Sequence, residues 1–219
     1  MRRFRLLCAA LCTATLVLTV GACDLIAGDS LVVNAAFTDP AVKQNGSAFE
    51  STADGVAMKG VAGIAPCDYR RMMNADFGRW KPKRVSLVFS GNNTSACMRD
   101  ADGRALRGAA LVEKYRNDLR SIISFFALRG AKVVLSAPVC VNPALSVSNG
   151  DPAIRTMLAQ LAASYPTGVA YSDYAARQIC PNWTYVAAYR GSDGIHLSTT
   201  GSKRFAAALR YELKNTYVR

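Results

Sequence analysis

The sequence of 219 residues holds one histidine, His196, so no other imidazole can serve as a base at neutral pH. Acidic residues are also scarce, 15 against 27 Lys and Arg, for a formal net charge of +12. Asp39, Asp54 and Asp68 show no metal-ligand spacing, and neither a metal nor a cofactor is expected. The basic residues fall as Arg70-Arg71, Lys81 to Arg84, Lys203-Arg204 and single sites. They form no clustered stripe and no known motif, so a nucleic-acid partner is not expected. No repeat and no low-complexity tract is present. The remaining composition, 51% hydrophobic with 16 Gly and 8 Pro, is that of a globular chain.

Charge is missing altogether from Leu6 to Ala22, LLCAALCTATLVLTVGA, which follows Arg2, Arg3 and Arg5. A basic start, an apolar run and a small-residue exit read as a secretory signal over residues 1–22, removed on export. The alternative is a membrane-spanning helix, for which the run is at the lower length limit. Export places the protein in the cell envelope, the periplasm or the medium. Removing the segment takes three arginines with it and leaves about +9, which would attract anionic envelope polymers or lipid headgroups. Val20 to Cys23, VGAC, resembles the lipobox of bacterial lipoproteins, which implies lipidation of Cys23 and attachment to a membrane. Plain cleavage after Ala22 reads equally well. Of seven cysteines, Cys8 and Cys12 lie in the signal; setting Cys23 aside leaves Cys67, Cys97, Cys140 and Cys180 for two disulfides.

The rest of the chain, residues 23–219, reads as one domain in which strands alternate with helices. Strands are expected at DLIA (24–27), RVSLVFS (84–90), AKVVLSAPV (131–139) and GVAYSD (168–173). Helical spacing joins Leu111, Tyr115, Leu119, Ile122 and Phe126, with Gly130 as a stop. A second helix follows Asp151 as N-cap and Pro152 at the first turn, and a third carries Phe205, Leu209 and Leu213 on one face. This alternation predicts an α/β fold, a parallel sheet covered on both sides. Ligands then bind beyond the carboxyl ends of the strands, where Ser30, Asn93 and Cys140 should emerge.

Four short stretches carry chemistry. Gly28-Asp29-Ser30-Leu31 puts a hydroxyl where the first strand gives way to a turn, with Gly28 free to adopt backbone angles closed to other residues. Asp193 and His196, three apart before the last helix, let a carboxylate fix the imidazole tautomer that a general base needs. Gly60 and Gly63 lie in a loop before a helix, where a bare N–H could face developing negative charge, and an amide of Gly91-Asn92-Asn93 could do the same. One such donor supplies about 3 to 4 kcal/mol of transition-state stabilisation.

In this order the stretches resemble the SGNH hydrolases, or GDSL esterases, across almost the whole of 23–219. The match runs through Gly28–Leu31, Gly60–Gly63, Gly91–Asn93 and Asp193–His196. The resemblance implies a flavodoxin-like three-layer α/β/α sandwich with a central parallel sheet. It implies Ser30 as nucleophile, His196 as acid and base, Asp193 as orienter, and an oxyanion hole from the Ser30 N–H, the Gly63 N–H and the Asn93 side chain. Thr94 stands where the family pattern has a second acid, and Asn93 is chosen over Asn92 by that alignment alone.

Cys67 and Cys97 each follow an oxyanion block, which favours pairing them and leaves Cys140 with Cys180; four cysteines allow three connectivities. Trp183 and Tyr185 precede the Asp193 loop and are candidates for a substrate rim by stacking. The expected activity is hydrolysis of carboxylic esters, of short acyl or O-acetyl groups on envelope glycans or lipids, by a monomer. Absence of a long apolar lid favours short acyl groups. The alternatives are an O-acyltransferase to sugar hydroxyls and a non-catalytic glycan-binding protein on the same scaffold.

Overall fold

The computed structural model describes residues 24–145 and 147–216. Residues 1–22, read above as a signal, Cys23, Ser146 and the last three residues lie outside this range. The first strand, β1 (Asp24–Gly28), is buried at every position, as expected of a central parallel strand. It feeds α1 (Ser30–Ala36), after which the chain makes β2 (Lys43–Asn45), β3 (Ala48–Ala53) and β4 (Val56–Val61). Two short helices, α2 (Pro66–Tyr69) and α3 (Met73–Trp80), lead to β5 (Arg84–Val88). Then α4 (Gly108–Ala127), β6 (Lys132–Ser136), α5 (Pro152–Ala163), β7 (Val169–Ser172), α6 (Tyr174–Ile179) and α7 (Thr199–Asn215) alternate to the end.

The seven strands lie in the order β2-β3-β4-β1-β5-β6-β7. From β4 to β7 all neighbours are parallel, and β2 and β3 extend one edge antiparallel. The parallel part has the doubly wound order, which reverses direction beside β1 and opens a crevice at the carboxyl ends of β1 and β5. One face of the sheet packs on α2 to α5 through Tyr69, Trp80, Tyr115, Ile122, Phe126 and Leu158. The other packs on α1, α6 and α7 through Leu31, Val32, Ile179, Phe205 and Leu209. The molecule is thus a three-layer α/β/α sandwich. Among the described residues no helix is long and apolar enough to cross a membrane.

The expected strands and the three long helices stand where the sequence places them, and Asp151 caps α5 by accepting from the Ala153 N–H at 2.7 Å. Two local readings need correction. Gly60 is not in a loop but in β4, and it is glycine because a Cβ there would lie 2.2 Å from the Val33 nitrogen of α1. Gly28 does not adopt a left-handed backbone; a Cβ there would lie 2.0 Å from the Val88 carbonyl oxygen of β5. Gly60 lets α1 lie close on β4, and Gly28 lets β5 and Val32 of α1 lie close on β1; this packing sets the depth of the residue that follows β1.

Candidate active site

Ser30 is the first residue of α1, only 8% exposed, and stands at the carboxyl end of β1. Its position depends on Asp29, which is wholly buried. One carboxylate oxygen of Asp29 accepts from the Leu31 N–H at 3.0 Å and caps α1. The other accepts from the Ser90 N–H and hydroxyl, both at 2.6 Å, and from the Asn92 amide at 3.3 Å. Burial pushes the Asp29 carboxyl above its usual range, and the Ser90 hydrogen bonds oppose that shift. Asn149 extends the network, donating to the Ser90 hydroxyl at 2.9 Å and to Asn92 Oδ1 at 2.6 Å. The loops after β1, β5 and β6 are therefore fastened to one buried carboxylate. The sequence gives no sign of this, because nothing in Gly-Asp-Ser-Leu tells that the aspartate is enclosed.

The histidine arrives from the other end of the chain. Asp193 lies in the turn before α7, where its Oδ1 accepts from the Ile195 and His196 N–H groups, each at 2.9 Å. Its Oδ2 lies 2.5 Å from His196 Nδ1. Burial alone would raise the Asp193 carboxyl; the bonds from the His196 ring and the two N–H groups outweigh it and bring it down to about 2. With Nδ1 so engaged, Nε2 is the ring nitrogen left for other partners. The loop is tied to α1 by the Leu197 N–H donating to Asn34 Oδ1 at 3.1 Å, across 163 positions of sequence.

Ser30 and His196 line one cleft of about 570 Å³, together with Ala62, Gly63, Asn92, Asn93 and Thr94. The two asparagines differ in what they have to offer. Asn92 is buried and its amide nitrogen serves both Asp29 and the Ile64 carbonyl, at 3.3 and 3.2 Å. Asn93 donates only to the Leu106 carbonyl, at 2.8 Å, which leaves one amide hydrogen uncommitted. The Ser30 and Gly63 N–H groups likewise have no acceptor among the described residues. Thr94 Oγ1 donates to the Gly63 carbonyl at 3.5 Å. Arg107, missed in the sequence, adds a positive charge to the cleft wall without an ion-pair partner among the described residues.

The cysteines pair as Cys67–Cys97 and Cys140–Cys180. The first bridge joins α2 to the short turn after the Asn93 loop, so the segments carrying Gly63 and Asn93 are held by one covalent tie. The second joins the loop after β6 to the end of α6. Arg190, buried and without a carboxylate partner among the described residues, connects that bridge to the histidine loop by donating to the Cys140 carbonyl and, at 2.8 Å, to the Ile195 carbonyl. Trp183 and Tyr185 do not line the Ser30 cleft. Trp183 packs instead against the core below α6 and α7, with the Arg155 guanidinium 3.7 Å from its ring centre. Of the two aromatics before the Asp193 loop, Trp183 thus belongs with the core and not the cleft.

At the level of sequence, no protein-family model and no curated protein matches the chain. Solved structures do match in fold. A GDSL-like lipase from Bacteroides thetaiotaomicron superposes with a TM-score of 0.62 at 14% identity, covering 90% of this chain and 89% of that one. A lipase/acylhydrolase from Enterococcus faecalis gives 0.58 at 19% identity, covering 90% and 97%. An acetyl xylan esterase from Geobacillus stearothermophilus gives 0.59 at 19% identity, covering 91% and 97%. The fold is therefore the one that these three proteins share, over nearly the full length of each.

Proposed function

We propose that the protein is an exported serine esterase of the SGNH type, with residues 1–22 as its leader and 23–219 as the hydrolase domain. The observation that carries this reading is the convergence on one cleft of Ser30, the Asp193-oriented His196, the Ser30 and Gly63 N–H groups, which have no acceptor among the described residues, and the second amide hydrogen of Asn93. Ser30 Oγ attacks the ester carbonyl carbon while His196 Nε2 takes the hydroxyl proton. The carbonyl oxygen, now negative, is received by the Ser30 and Gly63 N–H groups and by the Asn93 amide. Collapse breaks the bond to the leaving alcohol, which takes the proton from His196. Water, deprotonated by the same nitrogen, then attacks the acyl-enzyme, and the carboxylic acid leaves as Ser30 is restored. Asp193 stays ionised throughout and holds the ring.

Short acyl groups, including O-acetyl groups on glycans, suit a cleft without an apolar lid, and one structural neighbour acts on acetyl xylan. Export is supported by the leader pattern and by two disulfides. Cys23 either carries lipid and attaches the protein to a membrane or becomes a plain first residue.

The test is hydrolysis of p-nitrophenyl acetate, butyrate and palmitate beside Ser30→Ala and His196→Ala. Turnover that favours the acetate and falls by about a thousandfold or more in both variants supports the reading. A protein inert on all three, or one whose activity survives Ser30→Ala, overturns it.

A further inference from the structure

The edge of the sheet opposite the active site gathers charge of one sign. Lys81 and Lys83 stand just before β5, Lys132 opens β6, Arg129 follows α4, and Lys214 lies in the last turn of α7. All five are exposed. Backbone and side-chain bonds hold these segments side by side. The Lys132 N–H donates to the Lys83 carbonyl at 2.9 Å, Arg84 to the Lys214 carbonyl at 2.9 Å, and Lys214 Nζ to the Asp54 carbonyl at 3.3 Å. A concavity of about 640 Å³ opens among Asp24, Lys83, Arg84, Gly130 and Lys132. Lys132 aside, the other four cations outnumber the acids among the described residues here, since Asp24 is committed to Arg84 and only Asp54 is exposed. Leu128, 84% exposed and the most exposed large apolar side chain described, sits beside Arg129 on the same edge.

The strand that enters this edge is β1, whose first residue follows Cys23 directly. The charged face therefore surrounds the point where the leader joins the fold. From it we infer that this edge is a docking surface for an anionic phospholipid bilayer: Lys81, Lys83, Arg129 and Lys214 meet lipid phosphates while Leu128 enters the interface. The Ser30 cleft, at the carboxyl ends of the strands, then faces away from the bilayer. Docking of this kind depends on neither lipidation of Cys23 nor ester hydrolysis, so it stands or falls apart from the proposed activity.

The experiment uses the full chain, which in every variant keeps the same leader, so differences between variants report the edge. Sedimentation is measured with vesicles of phosphatidylglycerol and phosphatidylcholine, and of phosphatidylcholine alone, at low and at high salt. Lys81→Glu with Lys83→Glu is compared with Lys43→Glu and Lys203→Glu, an equal charge change away from this edge. The edge pair is expected to lower partition onto phosphatidylglycerol vesicles by about tenfold or more at low salt. The control pair stays within about twofold of the parent. On phosphatidylcholine alone all three chains are expected to bind alike. Equal losses in both pairs would reduce the effect to net charge, and no loss in the edge pair would remove the surface; either result overturns the inference. Melting temperatures establish that the variants fold, and if the glutamate pair does not, Lys81→Ala with Lys83→Ala replaces it with the same order of effects.

Discussion

Asp29 and Asp193 are two carboxylates beside one cleft whose surroundings push them in opposite directions. Burial raises Asp29, while hydrogen bonds from the His196 loop bring Asp193 to about 2. Replacing Asp29 with Asn turns an acceptor of four bonds into a group whose NH2 faces the donors of Ser90. Leaving such a buried group unpaired costs about 1–3 kcal/mol, so Asp29→Asn should lower the melting temperature measurably and reduce turnover through displacement of Ser30. Asp193→Asn should leave the fold intact, since both side chains are nearly half exposed, yet lower kcat by roughly three to four orders of magnitude through loss of the ring tautomer. The stability that ionised Asp193 adds is fully present above the ordinary carboxylate range and is lost as pH falls through about 2. Parent and Asp193→Asn melting curves should therefore keep a constant, small offset from pH 8 to 5 that closes only in stronger acid.

Between elements, the arrangement rests on polar groups that cross from one to the next. Glu212 of α7 is buried under β6 and β7, accepting from the Ser136 hydroxyl, from the Ser172 hydroxyl at 2.9 Å and from the Ala175 N–H at 2.9 Å. Burial raises its carboxyl against these bonds. Its neutral form is thus favoured in the folded state, and the stability it contributes falls as pH rises from the ordinary glutamate value through the raised one. Melting temperatures of the parent should decline relative to Glu212→Gln over that interval; parallel curves would disprove the coupling. Arg190 is the corresponding tie for the histidine loop, with burial lowering its guanidinium to about 10. Arg190→Met should lower kcat about ten- to a hundredfold with little change in KM, because two carbonyls lose their donor and His196 loses its setting while the cleft wall remains. The elements differ in how plainly the sequence announces them. The long helix α4 was legible from Leu111, Tyr115, Leu119, Ile122 and Phe126, because one face lies on the core. The hairpin of β2 and β3 was not, since Lys43, Gln44 and Asn45 are exposed polar residues on a sheet edge and carry no alternation. Trp183 stayed only a candidate for the converse reason: an aromatic near a functional loop looks the same in sequence whether it faces substrate or core.

For the molecule as a whole, the two disulfides close loops of 30 and 40 residues. Chain-entropy arguments give about 3 to 4 kcal/mol to each. Reduction should lower the melting temperature by well over ten degrees, with activity lost below the new midpoint; a thermally indifferent reduced protein would refute that assignment. The four cysteine positions and the order of motifs made the frame readable in advance. The buried Asp29 hub, the tie through Arg190 and the reasons for Gly28 and Gly60 became visible only with the packing of α1 between β1, β4 and α7.

The hydrogen bond from Leu197 to Asn34 joins the earliest helix of the fold to the loop that precedes the latest one. Ser30 leaves the ribosome early and His196 among the last residues of the chain. A nascent chain can build most of the sheet and still lack its base, so on the proposed mechanism hydrolysis cannot begin before His196 has been made and placed. A stop codon anywhere ahead of position 196 yields a serine with no partner. On the proposed mechanism, onset of ester cleavage is therefore a clock for the closing of the whole fold.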